Sequence, residues 1–455
     1  MYSNCTLSQE HSQEHISVHS DLHRAQLKCY RIFVASSVSK KAIWLWSLYD
    51  FANSIAFVGV MFYFGPWFVK TMGGSDTWMS GAVALSTLLL LFTLPFLGHL
   101  SDLKGRRMPF LSGMTLLCIA SLLGLGFLMA RVTTLTTTAA LGVILLYFCF
   151  QFFYQGSFAF YDAYLRDLSA SGASMEKISG MGMSIGQLGN LAGLALLMPF
   201  GMGKIGLPGL PGVPGAFVVA GVLFFLFFIP TWKYLKEKSI TPTPQGDIVL
   251  GKTFRATLRD FAEIRKHKGV LPFLIAYYLF ADALLTLSLF ATVYLDVVAH
   301  LSPIQMNVAV MGAVLLGVIG GWMSPLFVRW CGGRKRALQT FIVAWGILVL
   351  LFAVTRSWPV LVLIVMLNGF AFSVLFSLSR AFYAVLIPKE KQATFFSVYV
   401  LFERTSSILG PLLWSATAAA FASYGDDRYR FSVGVLAVLV LLSLVPLRYV
   451  QDVEK

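Results

Sequence analysis

Charge is scarce in this chain. Only 12% of its 455 residues are Asp, Glu, Lys or Arg and 57% are apolar, whereas about a quarter of the residues in a soluble domain are charged. That balance excludes an ordinary soluble domain and identifies an integral membrane protein. Cysteine is equally sparse. Cys5, Cys29, Cys118, Cys149 and Cys331 are odd in number and fall mostly on inside or intramembrane segments, which argues against a disulfide framework. The first forty residues lack the basic-then-apolar order of a cleavable signal peptide, so the first apolar run is expected to remain as an uncleaved anchor. No H-E-x-x-H string occurs. Neither ATP coupling within the chain nor hydrolase chemistry is expected, and no cofactor or metal is assigned.

What is abundant is long apolar sequence. At ~20 residues per crossing, twelve runs can be counted, at about 42–69, 77–100, 109–130, 139–165, 179–201, 215–235, 270–297, 304–328, 337–355, 359–387, 393–422 and 429–450. The longest polar interruption after the amino-terminal tail, 236–269, divides them six from six. The expected fold is all-α, with twelve transmembrane helices in two six-helix pseudo-repeats. The expected segments are a disordered tail 1–41, a first half 42–235, a linker 236–269, a second half 270–450 and a tail 451–455. In the linker, KTFRATLRDFAEIRKHK (252–268) spaces Phe254, Leu258 and Phe261 as an amphipathic helix would, with basic residues on other faces. Such a helix suits the inner leaflet of a membrane.

The net charge of +14 need not imply nucleic acid, because its placement follows topology. With the amino terminus in the cytoplasm, outside segments hold only Lys70, Arg131, Lys204, Arg356, Arg428 and Arg430, and the remaining basic residues lie inside except Arg380 and Arg404, which fall within spans. Both termini are therefore expected in the cytoplasm. His11, His15, His19 and His23 recur every four residues, a spacing that could share a metal on a helix. A solvated, disordered tail is the expectation, because few apolar residues accompany them.

The ten residues GHLSDLKGRR, 98–107, separate the second and third runs. Lipid tolerates almost no free charge, so Asp102, Lys104, Arg106 and Arg107 mark a turn emerging into water, and Gly98 and Gly105 allow it to be tight. The block resembles the loop signature of the major facilitator superfamily, roughly G-x-L-x-D-x-x-G-R-[RK]. That resemblance implies a conformational latch built on Asp102 and Arg106; a plain topological anchor is the alternative. A second basic turn, WCGGRKRAL (330–338), follows the eighth run but lacks the Asp, so any latch there must be weaker or different. Gly180, Gly182, Gly186, Gly189 and Gly193 in helix 5, and Gly312, Gly317, Gly320 and Gly321 in helix 8, are expected to bring these two helices together at the seam. GLPGLPGVPG (206–215) is expected to be a stiff, extended outside connector.

An ionisable side chain deep in a span is costly unless it faces a cavity or a partner. Asp50 in helix 1, Asp282 in helix 7, Arg380 in helix 10 and Glu403 in helix 11 fall near mid-membrane and are candidates for substrate, proton or gating roles. Helices 1 and 7 are equivalent in a six-plus-six repeat, so Asp50 and Asp282 are expected to face one central cavity and to be the first choices for carrying protons, with Glu403 in reserve. Asn53, about one turn from Asp50, is a further candidate; Tyr277, Asn368 and Tyr399 are weaker ones. Arg404, adjacent to Glu403, is expected to point about 100° away and to pair structurally. Asp162 and Arg166, four residues apart near the end of helix 4, have the spacing of an intrahelical pair.

WSLYDFANS (46–54), FYDAYLRDL (160–168), SRAFYAVLIPKEKQATFFSVY (379–399) and ERTSSILGPLLW (403–414) resemble the vacuole-effluxer-like branch of the superfamily, which contains the autophagy-related vacuolar amino-acid exporter and bacterial relatives. The resemblance implies alternating access and efflux of amino acids or another small solute, with Tyr49, Asp50, Asn53 and Arg380 as branch-typical positions. The expected protein is a monomeric secondary transporter of a small solute, with protons as a coupling ion and lipid as its surroundings. It would reside in a bacterial inner membrane or, if eukaryotic, a vacuolar one. A transport-dead receptor and, with Asp50 and Asp282 as a carboxylate pair, an intramembrane enzyme are the alternatives.

Overall fold

The computed structural model describes residues 40–74, 76–134, 136–169, 172–235 and 267–451. The first half contains α1 (Lys40–Val69), α2 (Asp76–Lys104), α3 (Met108–Arg131), α4 (Thr137–Ser169), α5 (Met175–Gly201) and α6 (Val213–Tyr234). The second contains α7 (Val270–Val297), α8 (Pro303–Cys331), α9 (Arg334–Val354), α10 (Trp358–Leu386), α11 in two pieces (Gln392–Thr405 and Leu409–Ala420) and α12 (Arg428–Leu442). The histidine ladder and nearly all of the amphipathic stretch 252–268 lie outside the described residues.

Eleven helices among the described residues are long and apolar enough to cross a membrane. Their outward faces are themselves apolar: Phe92 is 58% exposed, Leu145 60%, Ile304 76% and Trp322 76%. Such surfaces suit hydrocarbon and would aggregate in water. The eleventh predicted run differs from expectation, because it is broken into pieces of 14 and 12 residues. Pro411 has no amide to donate and its ring crowds the carbonyl four residues back, at Ser407. The Ser406 hydroxyl donates to the Glu403 carbonyl at 2.6 Å, satisfying an acceptor at the end of the first piece.

The connector after α5 is not extended. Gly206–Leu207 (β1) and Leu210–Pro211 (β2) pair antiparallel, with Pro208 and Gly209 between them and Gly209 at φ +72°. Proline then glycine at the two central positions is what a type II turn requires, and this local chemistry outweighs the extended tendency of the repeated Gly-Pro spacing.

The halves meet where α5 packs on α8 and α10, and where α2 and α4 pack on α11. A methyl group on Gly180 would collide with the Gly321 carbonyl oxygen and the Ser324 hydroxyl. The expected glycine contact between α5 and α8 is therefore present, but it involves only part of the two clusters. Gly189 and Gly193 face the α1 backbone at Phe51 and Ile55, while Gly312 and Gly320 face α10. The seam is polar as well as close. Ser179 donates to the Ser377 carbonyl at 2.8 Å and Ser184 to the Val318 carbonyl at 2.7 Å.

Candidate functional site

A cavity of about 660 Å³ lies in the seam, lined from α1, α2, α4 and α5 on one side and from α7, α10 and α11 on the other. Three carboxylates and two guanidiniums reach it: Asp50, Asp162, Glu403, Arg380 and Arg404. The rest of its wall is largely apolar and aromatic, including Phe57, Tyr154, Phe158, Phe372 and Phe376.

Arg380 anchors the floor. Its Nη1 donates to Asp162 Oδ1 at 3.0 Å, its Nε to the Ser179 hydroxyl at 3.0 Å and its Nη2 to the Ser179 carbonyl at 3.2 Å. One side chain of the second half thus grips two helices of the first. The guanidinium carbon also lies 5.4 Å from the Trp46 ring centre and 5.8 Å from that of Tyr161, within cation–π range. Those rings stack at 4.3 Å, and the Trp46 indole N–H donates to the Tyr161 carbonyl at 2.9 Å. The WSLYDFANS block therefore builds an aromatic bed for Arg380 beside Asp50.

Asp50 faces the cavity with no ion-pair partner among the described residues. Its carboxyl lies against Gly186, where an added Cβ would come within 3.1 Å of the carboxyl carbon, so the bare α5 backbone makes room for it. Glu403 accepts from the Tyr277 hydroxyl at 2.5 Å, and Tyr277 stacks on Tyr399 at 4.3 Å.

Several expectations meet a different arrangement. Asp282 does not line the cavity with Asp50. It is wholly buried, neither carboxylate oxygen has a hydrogen-bond partner among the described residues, and it lies against Gly410, in the second piece of α11. Thr286, one turn on along the same face of α7, lines the cavity, while Gly410 packs against both side chains and covers Asp282. Asn53 is buried outside the cavity, with both amide atoms unpartnered among the described residues. Asn368 accepts from the Trp345 indole at 2.8 Å, between α9 and α10. Arg404 is more than a structural partner of Glu403. It sits 3.8 Å from Glu403, lines the same cavity, and reaches across the seam to lie 5.4 Å from the Phe158 ring centre. Long side chains of adjacent residues can converge when both snorkel toward one polar space. Asp162 pairs with Arg380 and not with Arg166. Arg166 instead donates to the Ala384 carbonyl at 3.1 Å and the Ile387 carbonyl at 2.5 Å, at the end of α10.

Arg166 belongs to a group of contacts that seal the end of the bundle bearing the 98–107 loop. Asp102 accepts from the amides of Ala393 and Thr394 at 3.1 and 2.8 Å and from the Thr394 hydroxyl at 2.8 Å. These are first-turn donors of α11, which have no partner within the helix and sit at its positive end. Gly98 permits the approach, since an added Cβ would fall 2.7 Å from the Ala393 carbonyl oxygen. Gly105 makes the turn at φ +61°. The arginine engaged is Arg107, buried and paired with Asp167, while Arg106 is exposed. The second basic turn holds its own ion pair across the seam, Arg334 with Glu176 at the start of α5. Toward the opposite end the lining residues Met61 and Leu289 are each 60% exposed, so the cavity opens that way.

Ser179, Gln187 and Asn190 on α5 escaped sequence reasoning, although the last two line the cavity. Their signal was a polar pair three residues apart on the glycine-rich face. Two strings also fit enzyme spacings. GDIVLGKT (246–253) matches G-x-x-x-x-G-K-T but lies outside the described residues, and GMSIG (182–186) matches G-x-S-x-G. Ser184 sits inside α5 with its hydroxyl on the Val318 carbonyl, not on the strand-to-helix elbow that such a nucleophile needs.

The family profile described as "Vacuole effluxer Atg22 like" matches residues 79–455. The "Uncharacterized MFS-type transporter YxiO" of Bacillus subtilis (strain 168) is 23% identical over 425 residues, 90% of this chain and 96% of that protein. "Autophagy-related protein 22" of Yarrowia lipolytica (strain CLIB 122 / E 150) is 27% identical over 268 residues, 52% of this chain and 44% of its own length. The chain thus spans nearly all of the bacterial relative and under half of the fungal one. Among solved structures, the human organic anion transporter MFSD10 (TETRAN) superposes with a TM-score of 0.68 at 16% identity, over 90% of this chain and 99% of that one. At that identity the likeness concerns the fold alone.

Proposed function

Since the chain belongs to the vacuole effluxer Atg22 like family, we propose that it is a secondary transporter carrying a small solute, amino acids first among the classes to test, through the seam cavity by alternating access. The observation that carries this reading is the cavity itself: charged groups of both halves share one space, sealed at one end and open at the other. A site at the interface of two repeats is accessible from alternate sides when one repeat rocks against the other. With the 98–107 loop in the cytoplasm, as the basic residues suggest, this is an outward-open state, and both termini face the cytoplasm. A bacterial inner membrane or a vacuolar membrane is the proposed location.

Within this reading Asp50, Arg380, Glu403 and Arg404 contact the solute or hold the floor, and Asp282 carries the coupling proton. The test is flux into liposomes containing the purified protein, screened across amino acids, peptides and sugars with and without a pH gradient. Movement of one solute class above empty liposomes is the expected result; no movement of any solute under any gradient would favour a receptor.

Asp102 acts in this scheme as a latch through its three hydrogen bonds to the start of α11. Asp102→Asn removes the negative charge beside the helix terminus, a loss of about 0.3–2 kcal/mol. It should slow transport while leaving insertion and thermal stability near those of the parent. Equal initial rates would reduce the loop to a topological anchor.

A further inference from the structure

We propose that the seam cavity selects organic cations: solutes presenting a protonated amine on a ring-sized apolar body, held by Asp50, with no requirement for a carboxylate. This rests on reading the cavity as the solute site, and within that reading it puts amines ahead of amino acids. The lining charges are three acids and two bases, and each base stands beside an acid. Arg380 directs all three of its nitrogens at Asp162 and Ser179, and Arg404 stands 3.8 Å from Glu403 with its Nε unpartnered among the described residues. A solute carboxylate would have to compete with Asp162 for Arg380 or with Glu403 for Arg404. Asp50 is the acid left over. An ammonium group there completes neutrality at a depth where lone charge costs several kcal/mol, whereas a zwitterion leaves the excess negative charge in place.

The walls fit the rest of such a molecule. Phe57 stacks on Tyr154 at 5.4 Å and Tyr154 meets Phe158 edge-on at 5.3 Å. They form an aromatic surface from α1 and α4, the helix of Asp50 and a neighbour that also supplies Asp162. Aromatic faces attract a cation and pack a flat apolar body. With about 660 Å³ available, the space lies within the usual range for small-molecule sites, ~300–1,000 Å³.

The experiment is equilibrium binding to the purified full chain in lipid nanodiscs, using tyramine, tyrosine and 3-(4-hydroxyphenyl)propionate. These share one ring and differ in carrying a net positive, zero and negative charge. Tyramine is expected to bind tighter than tyrosine by about tenfold or more, with the propionate weakest, and Asp50→Asn should lose tyramine by a similar factor. Asp50→Glu, which keeps the charge, should retain it, and thermal unfolding of each variant separates lost binding from lost folding. Tyrosine binding as tightly as tyramine, or a folded Asp50→Asn variant binding tyramine unchanged, overturns the proposal. So does failure of all three ligands to bind; flux of any other solute in liposomes would then leave the transporter reading standing without this charge preference.

Discussion

Replacing Arg380 with Gln should lower the apparent melting temperature of the purified protein sharply and abolish flux. Asp162 is 4% exposed and its ion-pair partner is Arg380. Removing one member of a buried pair leaves an uncompensated charge, at about 3–5 kcal/mol. The same change strips Ser179 of two hydrogen bonds that tie α10 to α5. The double variant Arg380→Gln with Asp162→Asn removes both charges together and should recover most of the lost stability. It should not recover transport, because the tie across the seam is still missing. Thermal unfolding of the three proteins, followed by tryptophan fluorescence in one detergent, checks this. A single variant as stable as the parent, or a double variant no better than the single, would show that the pair does not hold the floor together.

The helices were legible because hydrocarbon demands long apolar runs, and eleven of the twelve expected runs coincide with helical segments long and apolar enough to cross a membrane. The break in α11 was hidden. Pro411 and the serines 406–407 sit inside a run whose hydropathy does not register a missing amide. The helix that carries each candidate was legible and its packing was not. Counting residues from the basic turns places Asp50 and Asp282 at one level, but only packing decides that Asp50 meets Gly186 and the cavity while Asp282 meets Gly410. Short-range rules failed for the same reason. The spacing of Asp162 and Arg166 suits an intrahelical pair worth a few tenths of a kcal/mol, ~0.2–0.5, which is easily outweighed by a buried guanidinium from α10 and by free carbonyls at its end. The loop motif marked Asp102 correctly as a residue that reaches another helix, but could not tell which of the consecutive arginines 106 and 107 would turn inward.

Asp282→Asn should abolish accumulation driven by a pH gradient and leave solute exchange at equal pH close to the parent rate. Asp282 is sealed between α7 and the second piece of α11, with both oxygens lacking hydrogen-bond partners among the described residues. Gly410 is the contact. A side chain there would collide with the Thr286 hydroxyl and approach Asp282 Oδ1 to 3.1 Å. Bare charge in such a place costs several kcal/mol, so its proton can exchange with water only when this part of α11 moves away. The break at 406–408 gives α11 a joint for that movement, next to Glu403 and Arg404 in the cavity wall. In the proposed scheme, proton exchange at Asp282 is thereby tied to the shape of the solute cavity without contact between proton and solute. Asparagine keeps the volume and cannot carry the proton. Exchange needs the cavity to alternate but no net proton movement, so it should persist, whereas Asp50→Asn should remove both activities by removing the solute. Retained pH-driven accumulation in the Asp282→Asn variant would exclude Asp282 as the coupling group and make Glu403 the next carboxylate to replace.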